Sequence, residues 1–198
     1  MEKDSVKVYI ACIPTFVEIG EVFPLERNVE IQECKNKEKQ KEKYCAWKLL
    51  EYALKTELNE DIKNIKFEKD NNGKWKCDKC CFSLSHSACV VAAAISYDSV
   101  GVDIEKVREV KAPIQKKILS DSEMQEMEKA ENKTEYLIKK WTQKESVFKA
   151  QENQDYNLKK ADTTHTKTYS ILQNNNEYFV SVATKNLDNI TIIKDIKL

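Results

Sequence analysis

The stretch CFSLSHSACVVAAAISYDSVGVDIE (residues 81–105) carries three strand signatures in succession, and their reading decides the fold. Residues 81–87 alternate, with Phe82 and Leu84 on one face, as a half-buried strand does. Residues 89–96 are almost continuously apolar, which suits a central strand covered on both faces. After the turn at 97–99, residues 100–105 alternate again. Val102 and Ile104 turn to the core, and Asp103 and Glu105 share the opposite face. The last two segments read together as a β-hairpin over 89–105.

Working outward, residues 6–13 form an opening strand, and Pro14 and Pro24 punctuate a loop up to about Arg27. One long helix is expected from Val29 to Leu58, with Tyr44, Trp47, Leu50, Leu54 and Leu58 recurring as a buried stripe. The run DNNG at 70–73 marks a turn. Residues 113–151 are helical with a break near Ser120, and the tail returns to strands at 168–173, 177–184 and 189–196. The order is that of an α+β fold with antiparallel sheets. Each half offers strands plus a long helix, so a pseudo-duplicated arrangement is expected, with an N-terminal half at 1–97 and a C-terminal half at 98–198.

Composition narrows the function. There are 33 basic and 33 acidic residues, so no overall field draws the chain to nucleic acid or to an anionic membrane. Charge clusters locally, where Lys35, Lys37, Lys39, Lys41, Lys43 and Lys48 face only Glu33, Glu38 and Glu42. That cluster reads either as a solvated helix face or as a dock for a small polyanion. No run reaches the roughly 18–20 apolar residues of a membrane helix, and the start does not suit a signal peptide, so a cytoplasmic protein is expected. The only glycines are Gly20, Gly73 and Gly101, which leaves no glycine-rich phosphate loop. Seven cysteines at irregular spacing are expected as thiols. Cys77-x-x-Cys80, with His86 and Cys89 following, has ligand types suited to zinc or to redox chemistry. Strand alternation sends these side chains in different directions, however, which disfavours a closed site.

Three segments carry chemistry. Asp103 and Glu105 side by side repel one another unless a cation or a raised pKa separates their charges, and hard oxygens of this kind suit Mg²⁺ on a phosphate. In WTQKESVFKA (141–150) Glu145 and Lys149 lie one helical turn apart on one face, with Trp141 a turn before. Ser85 and His86 stand at a strand end just before the apolar run.

Taken together, FSLSHS (82–87), VGVDIE (100–105) and WTQKESVFK (141–149) resemble the signature blocks of the 4′-phosphopantetheinyl transferases, and Gly73-Lys74 resembles that family's Gly-Lys-Pro element, with Trp75 in place of proline. Length and layout resemble the larger, surfactin-type class, which implies a monomer of two pseudo-symmetric halves, each an antiparallel sheet packed with a long helix. The resemblance implies an activity: transfer of 4′-phosphopantetheine from coenzyme A to a serine of an apo acyl or peptidyl carrier protein, with release of 3′,5′-ADP. It implies Mg²⁺, or Mn²⁺ in its place, held by Asp103, Glu105 and Glu145. Ser85 and His86 would contact phosphate, Lys149 would neutralise the diphosphate, and Lys74 would reach the nucleotide. Glu145 is the candidate base. Ser120-Asp121-Ser122-Glu123 fits the family's Ser-x-x-Glu element.

Overall fold

Strand alternation sorts the apolar side chains of the sheets into two separate cores, and a smaller third cluster gathers Ile118, Leu119, Met127, Leu137 and Leu158. The computed structural model describes residues 1–151 and 157–198. In chain order the elements are β1 (Val6–Cys12), α1 (Leu25–Gln32), α2 (Lys37–Leu58), β2 (Phe67–Lys69), β3 (Trp75–Cys77), β4 (Cys81–Ser87), β5 (Val90–Ser96), β6 (Val100–Lys106), α3 (Ala112–Ile118), α4 (Asp121–Lys129), α5 (Lys133–Ala150), β7 (Thr166–Gln173), β8 (Asn176–Thr184) and β9 (Ile190–Ile196). One sheet has the order β4-β5-β1-β9, another β6-β8-β7, and β2 with β3 makes a short ribbon. Pairing is antiparallel except between β1 and β9.

The apolar strand β5 shows how the layers stack. Val91, Ala93 and Ile95 join the core beneath α2, with Trp47, Leu50 and Leu54. Val90, Ala92 and Ala94 face the other way, onto Val102, Ile104, Val180 and Val182 of the second sheet. The opposite face of that sheet receives α5, where Thr142 Oγ1 lies 2.7 Å from Ser181 Oγ. The result is helix, sheet, sheet, helix, an α+β arrangement as the alternation implied. Trp47 is fully buried against the rings of Phe67, Trp75 and Phe82, a burial that contributes roughly 3 kcal/mol. Trp75, in the place of the expected proline, belongs to this aromatic cluster, and its indole N–H donates to Glu30.

Several expectations change. The first sheet is mixed, because β9 joins β1 in parallel. The hairpin is not 89–105. β5 is joined to β4 by a tight turn in which Ala88 adopts φ 52°, and β6 lies in the other sheet. Residues 97–99 cross between layers, so the apolar faces of β5 and β6 meet face to face across a core rather than edge to edge. The helix expected over 29–58 is two helices. The Asn36 side chain caps α2 by accepting from the Lys39 N–H, and the buried Gln40 amide donates to the carbonyls of Ile31 and Gln32, which closes the end of α1.

The break at Ser120 is a capping box: Ser120 Oγ accepts the Glu123 N–H, and the Glu123 carboxylate accepts the Ser120 N–H. A second break precedes α5, which Asn132 caps. Among the described residues no helix is long and apolar enough to cross a membrane.

Candidate active site

Where the two sheets meet, β4 and β6 run side by side without a backbone ladder. One edge of β6 pairs with β8, which leaves the alternate N–H groups of the other edge in need of acceptors. Serines on one face of β4 supply them. Ser83 Oγ accepts from the Val102 N–H at 3.0 Å, Ser85 Oγ from Ile104 at 3.2 Å, and Ser87 Oγ from Lys106 at 3.1 Å. The same hydroxyls reach the acidic face. Ser85 donates to Asp103 Oδ1 at 2.8 Å, and Ser87 donates to Glu105 Oε2 at 2.8 Å.

From the other side α5 delivers a cation, Lys149, and a further acid, Glu145. Gly101 makes the close approach possible: a Cβ there would stand 1.9 Å from the Ser146 carbonyl oxygen and 2.5 Å from the Ala150 nitrogen. With the helix so near, the Lys149 ammonium lies 2.7 Å from Asp103 Oδ1 and 2.9 Å from Ser85 Oγ. Lys74 follows the DNNG turn, which Gly73 closes at φ 78°, and its ammonium donates to the Lys149 carbonyl. Arg108 lies 3.3 Å from Glu105 Oε2 and packs over the Trp141 ring at 5.5 Å. The indole N–H of Trp141 in turn donates to Glu145 Oε1 at 3.4 Å.

Ser85, Asp103, Lys149 and Lys74 are therefore directly linked. Glu105 and Glu145 form a second chain with Ser87, Arg108 and Trp141, near enough for the charges of Asp103 and Lys149 to act on Glu105. His86 turns to the opposite face of β4, where Nδ1 meets Glu42 Oε2 of α2 at 3.1 Å. Burial holds its imidazole below the ordinary range even though 41 % of the side chain stays exposed. Lys149 and Lys43 push it the same way, against Glu42 and Asp103. Burial raises the Glu105 carboxyl, the Asp103 charge adds to that, and Ser87, Arg108 and Lys149 offset only part.

Of the lysine-rich stretch, Lys41 pairs with Glu38, Lys48 pairs with Glu51, and Lys43 faces His86 closely enough to act on its charge. Glu123 is held by its helix cap and by the buried Lys144, whose ammonium lies 2.5 Å away.

Whether these residues suit a metal has a two-sided answer. Asp103 is 5 % exposed, and its Oδ2 is buried with no hydrogen-bond partner, the state of an oxygen that lacks a ligand. Glu105 adds a second hard oxygen donor on the same strand face. The residue types fit a small hard cation. Among the described residues, however, no three acid, histidine or cysteine groups are gathered into one metal-holding cluster. Lys149 and Arg108 hold Asp103 and Glu105 instead.

Sequence reasoning missed Arg108, Ser83 and Ser87. The serines were legible as the polar alternates of β4, but the strand they would face was not. Arg108 lies just beyond the strand, where no periodicity points to a role.

An acidic strand face, two lysines and a hydroxyl converging beside a helix form a site of the kind that takes a polyphosphate group with its counter-cation. Residues 99–191 match the family model of the 4′-phosphopantetheinyl transferase superfamily. That match lies in the C-terminal half of the chain and is a likeness to that superfamily. Over 93 residues it is 31% identical to the 4′-phosphopantetheinyl transferase psf-1 of Bacillus pumilus, covering 44% of this chain and 40% of that one. Over 96 residues it is 36% identical to the 4′-phosphopantetheinyl transferase gsp of Aneurinibacillus migulanus, covering 47% and 40%. The aligned stretch thus spans two-fifths of the length of each relative.

Proposed function

We propose that this chain transfers the 4′-phosphopantetheine group from coenzyme A to a serine of an apo acyl or peptidyl carrier protein. The observation that most supports this is the Ser85–Asp103–Lys149 triangle, with Asp103 Oδ2 left buried and unpartnered. In this reading Asp103, Glu105 and Glu145 would hold Mg²⁺ or Mn²⁺. The bound ion would supply charge neutralisation at the coenzyme A diphosphate.

The chain's own residues divide the remaining work. Lys149 neutralises the non-bridging oxygens and Ser85 contacts phosphate beside it, while His86, on the other face of β4, would meet phosphate from the side of α2. Lys74 and the lysine-rich start of α2 reach toward the nucleotide end. Glu145 takes the proton from the carrier serine hydroxyl. The serine oxygen forms the new bond to phosphorus, and the bond from phosphorus to the 3′,5′-ADP oxygen breaks. Residues 1–97 supply the nucleotide contacts and residues 98–198 the carboxylates, in a cytoplasmic monomer with coenzyme A between the halves.

The reading is tested by chromatographic detection of 3′,5′-ADP. The chain is incubated with coenzyme A, Mg²⁺ and a panel of apo carrier proteins. Release that needs carrier, metal and chain together supports it. No release with any carrier, in a chain that also fails to bind coenzyme A, rejects it.

A further inference from the structure

The Cys77-x-x-Cys80 segment lies outside the site just described, and no step of the proposed reaction uses it. Cys77 ends β3, residues 78–80 turn back, and Cys81 opens β4. The turn is fixed by paired bonds at Asp78: its N–H donates to the Lys66 carbonyl at 3.1 Å, and its carboxylate accepts the Lys66 N–H at 3.1 Å. Folded in this way, the loop brings Cys77 Sγ to 3.9 Å from Cys80 Sγ. Cys77, Cys80 and the exposed Cys81 line a cavity of about 120 Å³ with Lys74, Lys76 and Ser99. Cys80 is the more buried, 9 % exposed, and Cys77 is half-buried and reachable from the cavity.

The electrostatics separate the two thiols. The Cys80 thiol hydrogen bond lowers Cys77, burial opposes it, and the backbone amides of Lys79 and Cys80 lower it further, so that Cys77 falls below the ordinary thiol range. The Cys80 carbonyl, to which a neutral Cys77 thiol donates at 3.2 Å, limits that fall. The same Cys77–Cys80 hydrogen bond, with burial, pushes Cys80 up. An accessible, more acidic thiol beside a buried, less acidic one is the division of labour of an attacking and a resolving cysteine.

We propose that Cys77 and Cys80 form a reversible intrachain disulfide by exchange with an anionic low-molecular-weight disulfide that docks at the mouth of the cavity, beside Lys74 and Lys76. The Cys77 thiolate attacks one sulfur of the small disulfide and displaces a first small thiolate. The Cys80 thiol then loses its proton, and its sulfur attacks Cys77 Sγ and displaces the second. Two protein thiols are oxidised to one disulfide, one small disulfide is reduced to two thiols, and the two protein protons pass to the departing thiolates. The exchange shares Lys74 with the proposed transfer site but uses none of its reacting groups.

The test exposes the full chain to graded mixtures of glutathione and its disulfide, quenches and alkylates the remaining thiols, and maps the peptides by mass spectrometry. The 77–80 linkage is expected to accumulate before any other pairing and to revert with dithiothreitol. Cys80→Ser is expected to hold glutathione on Cys77, and Cys77→Ser to leave Cys80 unmodified. Should either variant fail to fold, alkylation rates in the parent decide: Cys77 reacts at least about tenfold faster than Cys80. Oxidation that begins at another pair, glutathione found on Cys81 in place of Cys77, equal rates at the two thiols, or one equivalent of zinc on the purified chain would each overturn the proposal.

Discussion

Lys149 and Asp103 are joined across 2.7 Å from helix α5 to strand β6, and the pair leaves the second carboxylate oxygen of Asp103 buried and without a partner. Removing the ammonium leaves a carboxylate that is 5 % exposed without its counter-ion. Lys149→Met is therefore expected to lower phosphopantetheine transfer roughly 100-fold or more and to cost about 1–3 kcal/mol of stability. Steady-state kinetics and urea denaturation measure both. A variant that keeps turnover within a few-fold of the parent would remove Lys149 from the reaction.

The serines of β4 separate a structural role from a chemical one. Ser83 accepts one backbone N–H of β6, whereas Ser85 also bonds Asp103 and Lys149. Ser83→Ala and Ser85→Ala should each cost about 1–3 kcal/mol, since each leaves a buried N–H without its acceptor. Only Ser85→Ala should also lower kcat/KM, by about tenfold. Equal kinetic losses would make the hydroxyl ladder purely a joint between sheets.

Gly101 is the point at which α5 touches β6. A methyl group there collides with the helix backbone, which has no side-chain rotation to relieve it. Gly101→Ala should destabilise the chain by about 1–3 kcal/mol and displace the helix that carries Glu145 and Lys149. Transfer should fall more steeply than stability, as read by kinetics at a temperature where the variant remains folded.

The half-buried Glu123 and the buried Lys144 are a pair of structural character. Burial alone would raise the Glu123 carboxyl, but the hydrogen bond from Lys144 and the Ser120 cap outweigh it and hold the carboxyl below its ordinary value of 4.5. In the interval between the folded and unfolded values the unfolded chain binds the extra proton, so stability rises with pH there. The contribution is complete above about 4.5 and is lost as pH falls through the depressed folded value. Glu123→Gln should remove this share of the acid dependence and cost on the order of 3 kcal/mol at neutral pH, because Lys144 is 1 % exposed. An unchanged denaturation midpoint would contradict the assignment.

What the sequence disclosed and what it withheld have physical causes. Alternation in residues 100–105 placed Val102 and Ile104 in the core and Asp103 and Glu105 together, because a strand's side-chain period is fixed. The same alternation could not say which strand lies beside β6. That depended on Ala88, whose positive φ makes the β4–β5 turn without the glycine or asparagine that usually announces one. Residues 33–36 broke a helix amid helix-forming neighbours, and the only signal was Asn36 as a cap. The link between Glu105, Arg108 and Trp141 joins a strand end to a helix far along the chain, a contact no local pattern encodes. His86 follows Ser85 directly, and adjacent residues of a strand face apart, so it meets Glu42 of α2.

The most direct measurement is the intact mass of an apo carrier protein after incubation with this chain, coenzyme A and Mg²⁺, with Asp103→Ala run alongside. The account predicts a gain of one phosphopantetheine group with the parent and none with the variant. A parent that binds no coenzyme A and modifies none of the carriers, or an Asp103→Ala variant that modifies them at the parent's rate, would contradict it.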